Sequence, residues 1–108
     1  MPMVESGDRD GVRIMAAAHR RNDLDEQRLI EQHVDLDTDR YPGGRADARL
    51  RESGVSVWAI VAFLDVYEGN LDKVIEHFEL SREEIEAALA YYRRNKRYVD
   101  ARIILNEA

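Results

Sequence analysis

Apolar positions recur at helical spacing in the carboxyl-terminal half of the chain and only sporadically before it. Leu71, Val74, Ile75 and Phe78 fall at i, i+3, i+4 and i+7, one stripe along a helix. Ile85, Ala88, Leu89 and Tyr92 repeat the pattern after a gap that leaves room only for a tight turn. Ser81 followed by Glu84 has the spacing of a capping box, and Glu83 and Glu84 add first-turn acids that suit the helix dipole. Upstream, nine of the ten residues from Val55 to Leu64 are apolar, broken only by Ser56. A helix apolar on nearly every face must be covered, either as the central helix of a tight bundle or in part by a second copy. Glu68-Gly69-Asn70 ends it, and Asn70 is placed to cap the next helix.

Residues 23–57 are less regular. Asp23 can cap Leu24–Glu31, but Leu24, Gln27, Arg28 and Glu31 offer too few apolar positions for a helix. Leu29-Ile30, Val34 and Leu36 read as the beginning of a short extended segment. Tyr41-Pro42-Gly43-Gly44 is a turn, and residues 46–52 with Val55–Val57 predict a small β-hairpin around Ser53-Gly54. Residues 1–22, with Pro2, Gly7 and Gly11, have little to bury and read as a flexible arm, although Val12, Met15, Ala16 and His19 leave a short helix open. The apolar stretch Ile14–Ala18 is too short for a signal peptide, and acids precede it. The expected fold is mainly α, a small helical bundle with a helix-turn-helix-like pair and a short β-hairpin or extended segment before it. Residues 23–108 form one domain, mixed or extended over 23–57 and helical over 58–106.

Composition narrows the function classes. At 108 residues the chain suits one core, and the ten-residue apolar run is far short of a membrane span. With no cysteine there are no disulfides, zinc-thiolate sites or thiol nucleophiles. A cytoplasmic protein is expected. The net charge of −6 is unfavourable for nucleic acid, but it is segregated. Residues 65–86 hold eight acids against two bases, a net −6 by themselves. Residues 93–102 carry Arg93, Arg94, Lys96, Arg97 and Arg102 against Asp100, a net +4, with Tyr91, Tyr92 and Tyr98 interleaved. Such a helix can grip phosphate, bind an acidic partner, pair with the acidic hairpin of a second copy, or simply be a solvated helix end.

Catalytic patterns are missing. His19, His33 and His77 have no metal-ligand spacing, and no serine lies in a nucleophile elbow. Gly43-Gly44 lacks the lysine of a phosphate loop. Asp35-Leu-Asp37-Thr-Asp39 opens like a calcium loop, but Arg40 and Ala46 stand where that loop needs glycine and glutamate. No catalytic residue, metal or cofactor is expected, and the chain does not read as an enzyme.

The runs Gly54–Trp58 (GVSVW), Gly69–Ile75, Leu80–Ile85 (LSREEI) and Ala87–Tyr92 (AALAYY) resemble the domain of unknown function 433 family, from about Ile30 to the carboxyl end. Ser56 stands where that family usually has proline, Gly54 where it often has arginine, and Glu79 in place of a proline-containing turn. The resemblance implies a short β element followed by helices with a helix-turn-helix-like pair. It also implies a bacterial, antitoxin-like homodimer of a type II toxin–antitoxin pair, able to bind operator DNA and to mask a PIN-type nuclease toxin. The candidate DNA contacts are Arg82, Arg93, Arg94, Lys96 and Arg97. The candidate partner or dimer surface is Trp58, Tyr91, Tyr98, Ile103 and Leu105. The alternative is a protein–protein interaction module that binds no DNA and uses the acidic helical hairpin.

Overall fold

The computed structural model describes residues 23–107; the expected arm over 1–22 lies outside the described residues. Residues 23–33 are helical (α1), and 3-10 turns follow at Thr38–Arg40 and Gly44–Asp47. Four helices complete the chain: α2 (Val57–Val66), α3 (Leu71–Phe78), α4 (Arg82–Arg94) and α5 (Lys96–Glu107). The small helical bundle is as expected, and α2 is its central helix, packed on α3, α4, α5 and the second 3-10 turn.

The helix over 23–33 corrects the expected extended segment. Ile30 and the following Val34 reach the core, with Leu29 packed beside them. The rest of α1 is held by polar clamps. Arg93 pairs with Glu26, Arg94 donates to the Gln27 side chain and to the Asp23 carbonyl, and Arg51 Nε donates to the Glu31 carbonyl. Tertiary contact thus overrides a weak local pattern.

The expected hairpin reduces to two isolated antiparallel bridges, Val34 with Leu50 and Arg49 with Ser56. Only about residues 48–50 are extended, because residues 44–47 coil into the second 3-10 turn. This short piece is bonded on both sides: Asp35 N–H donates to Arg49 O, and Leu50 N–H to Val55 O, each at 2.9 Å. Gly54, at φ +74°, makes the reversal between the pieces. Ala48, Leu50 and Val57 are buried there and join Ile60, Val74 and Ile85 in one core.

Local signals set the other boundaries. Asn70 caps α3 by accepting from Lys73 N–H. Glu79 ends α3 in the left-handed conformation, with Leu80 N–H returning to Ile75 O and the Leu80 side chain buried. Ser81 and Glu84 close the capping box, both bonds at 3.1 Å. The helical region is broken at Asn95, whose side chain donates to Tyr91 O and so separates α4 from α5.

Candidate interaction surface

The basic residues proposed for phosphate are mostly spent inside the fold. Arg82 pairs with Asp72 at 2.6 Å and ties α3 to α4. Arg93 and Arg94 converge on Glu26, whose carboxyl is held below the usual carboxylate range, chiefly by the Arg93 hydrogen bond. Lys96 pairs with Asp100 at 2.6 Å, and Tyr92 OH donates to the same carboxylate at 2.7 Å. The Lys96 bond is the main reason the Asp100 pKa is lowered, and the Lys96 pKa is raised in return. Burial first, then the bond to Asp100, pushes the Tyr92 phenol up. Of the five candidates, Arg97 alone makes no ion pair among the described residues.

The acidic stretch has the opposite character. Asp65, Glu68, Glu76, Glu79 and Glu86 are exposed and make no ion pair among the described residues. Glu83 lies 3.6 Å from Nε2 of His33, a nitrogen that is buried without a hydrogen-bond partner. His77 is on the surface, but it is not isolated. Its ring stacks on Phe63 at 4.3 Å between centroids, and Nδ1 is 3.1 Å from the Tyr67 hydroxyl.

The candidate partner residues divide. Tyr91 is 4% exposed, and its hydroxyl donates to Arg45 O at 2.7 Å, so it is a core residue and not a surface contact. Burial raises its pKa. Trp58 and Ile103 pack against the core, and the Arg102 guanidinium covers the indole at 4.5 Å. Tyr98 and Leu105 face outward, beside a groove of about 390 Å³ between α5 and the second 3-10 turn. Arg45, which no sequence pattern had marked, lies over the Tyr98 ring at 4.6 Å. Asp47, also unmarked, receives Arg102 at 2.8 Å. These partners are separated by some fifty residues, beyond the reach of any local pattern.

No three histidine, aspartate or glutamate side chains come together as a metal-ligand set among the described residues, and no helix there is long and apolar enough to cross a membrane. A comparison with curated proteins and another with solved structures returned no match. A family model, described as Protein of unknown function (DUF433), matches residues 44–92, from the second 3-10 turn through most of α4. The span is shorter than the resemblance suggested, since α1 and α5 fall outside it. Over residues 44–92 the match supports the resemblance to the domain-of-unknown-function 433 family.

Proposed function

We propose that this chain is a non-enzymatic interaction protein of the antitoxin kind, working as a cytoplasmic homodimer and covering a basic partner with the acidic face of α3 and α4. One observation carries this reading: the carboxylates of residues 65–86 stand mostly free, whereas Arg82, Arg93, Arg94 and Lys96 are engaged by this chain's own acids and amides. Free charges of one sign steer and select a partner of the other, and pairing removes that capacity. A PIN-type nuclease toxin, which must itself attract a phosphate backbone, is the partner of fitting charge. The test is co-expression and co-purification with a PIN-type nuclease, using wild-type protein and the triple variant Glu76→Lys, Glu79→Lys, Glu86→Lys. Loss of the complex and of nuclease inhibition is expected. A complex that tolerates the triple reversal would overturn the reading.

A second reading, operator binding, is favoured by the proportions of the helical pair. The eight residues of α3, a three-residue turn beginning in the left-handed conformation and the longer α4 suit a helix-turn-helix reading, and Val74, Leu80, Ile85 and Ala88 are buried in the shared core. Against it, the first turn of α4 presents Glu83 and Glu84, and its Arg82 is held by Asp72. A gel shift on the upstream DNA separates the two. A salt-sensitive shift abolished by Arg97→Ala supports operator binding, and no shift leaves the protein-covering reading alone.

A further inference from the structure

A cavity of about 250 Å³ lies where α1, the two 3-10 turns and the α4–α5 break meet. Ile30 and Leu36 supply its apolar wall, and Arg45 and Arg94 line it together with Thr38 and Asn95. No carboxylate is among its lining residues. A chain of net charge −6 thus keeps one small cavity with two arginines and no lining acid.

Arg45 is exposed and makes no ion pair or side-chain hydrogen bond among the described residues. Its guanidinium lies over the Tyr98 ring at 4.6 Å, a contact that uses the planar face and leaves the N–H edge unoccupied. Arg94 is only partly engaged. It donates to the Gln27 side chain and the Asp23 carbonyl, and its nearest Glu26 oxygen is at 3.5 Å, the outer limit of a hydrogen bond. Glu26 is held chiefly by Arg93, so Arg94 keeps its Nε–H for another acceptor. The Thr38 hydroxyl has no partner among the described residues. The carbonyls that would repel an anion are already taken. Tyr91 O accepts from Asn95 N–H and Nδ2, each at 3.0 Å, and Arg45 O accepts from the Tyr91 hydroxyl at 2.7 Å. The cavity therefore offers chiefly donors.

We infer that this cavity binds the phosphate group of a small phosphate monoester, held between the Arg45 and Arg94 guanidiniums with the Thr38 hydroxyl as a third donor. The inference goes beyond the partner-covering reading and does not rest on it. Charge selects the ligand. A phosphate monoester carries about −1.5 to −2 at pH 7 and three acceptor oxygens, which match two guanidiniums and a hydroxyl. A carboxylate would balance one arginine and leave the other uncompensated. Size selects the rest. The cavity is smaller than the roughly 300–1,000 Å³ of pockets that take drug-sized ligands, so it admits a phosphate and a small ester group against Ile30 and Leu36. A free nucleoside monophosphate and the 5′-phosphate of an oligonucleotide present the same chemistry, and the experiment has an arm for each.

The experiment is calorimetric titration of the full-length chain at low salt, with backbone amide shifts read by NMR alongside. The probes are inorganic phosphate, AMP, acetate, and a tetranucleotide with a 5′-phosphate or a 5′-hydroxyl. Phosphate and AMP should bind and shift the amides of residues 38, 45, 94 and 95, and acetate should bind at least about tenfold more weakly. Arg45→Gln should weaken phosphate about tenfold, the loss of one charge-assisted hydrogen bond. The fold should be unaffected, because the Arg45 side chain is exposed and the bond from Tyr91 is to the backbone carbonyl. Arg28→Gln removes the same charge from an exposed site outside the cavity and should change binding less than about twofold. AMP binding more tightly than the 5′-phosphorylated tetranucleotide supports a free monoester, and the reverse order supports an oligonucleotide end. No shift of these amides at about 10 mM phosphate overturns the inference. So do acetate binding as tightly as phosphate, equal losses in Arg28→Gln and Arg45→Gln, and a 5′-hydroxyl tetranucleotide that binds as well as the phosphorylated one.

Discussion

Glu26 and Arg93, 67 residues apart in sequence, form an ion pair that fastens α1 to the last turn of α4. The contact turns a basic residue that reads as a phosphate ligand into a structural clamp. Both side chains remain partly exposed, so a double-mutant cycle with Glu26→Gln and Arg93→Gln should give a coupling of about 0.5–1 kcal/mol. The pair also sets a pH dependence. The folded-state pKa of Glu26 is lowered, so its stabilisation is complete above the unfolded glutamate value and is lost as pH falls through the lowered one. Urea unfolding between about pH 6 and pH 3 should show Glu26→Gln losing stability less steeply than the wild type. Parallel slopes would mean that other carboxylates account for the acid sensitivity.

Tyr91→Phe should cost about 0.5–1.5 kcal/mol, because it removes the part-buried bond from the phenol to Arg45 O. The second 3-10 turn loses its tether to α4, and Arg45 its fixed position over Tyr98. At alkaline pH the sign reverses from that of Glu26. Burial raises the folded pKa of this phenol, so the unfolded chain releases the proton first and stability falls as pH rises past about 10. Tyr91→Phe should remove part of that alkaline loss, measurable as a flatter profile of unfolding midpoint against pH.

The legibility of this sequence follows the range of the interactions. The stripe and cap of α3 and the capping box of α4 lie within a few residues of one another, and all three appear in the structure. The face of α4 was only half visible. The stripe through Ile85, Ala88, Leu89 and Tyr92 places the core on one edge, but Ala87, Ala90 and Tyr91 are also buried. The helix is covered on two sides, by α2 and by the segment around Arg45, and periodicity reports only one. For α1 and for the basic residues, sequence shows the sign of a charge and not its partner. Arg93 and Arg94 read as free cations because Glu26, Gln27 and the Asp23 carbonyl lie far upstream.

Glu79 occupies the left-handed region at φ 56°, where a side chain with a Cβ is strained. Glu79→Gly should stabilise the chain by about 0.5–1 kcal/mol, the relief at the turn exceeding the entropy that glycine adds to the unfolded state. Glu76→Gly, three residues earlier inside α3, is the matched control and should cost about 1 kcal/mol. Opposite shifts in urea midpoint are the expected outcome. If Glu79→Gly also destabilises, the side chain makes a contribution greater than its backbone strain.

Asp35 is buried at the start of the 35–41 loop, where its carboxylate accepts from Asp37 N–H at 3.0 Å, from Tyr41 OH at 2.9 Å and from Arg40. The acid that begins a calcium-loop-like run is therefore engaged by three donors of its own loop. Asp35→Ala should cost about 1–3 kcal/mol by leaving those donors unmatched. Asp35→Asn retains an acceptor oxygen for one or two of them and should cost less. The loss should be local before it is global. Amide exchange should rise first at residues 37–44, ahead of the helices, because the Tyr41 ring rests against Arg40 and Arg49 and is positioned by this hydroxyl bond. Uniform acceleration across α2 and α4 would place Asp35 in the main cooperative core instead of at the head of a loop.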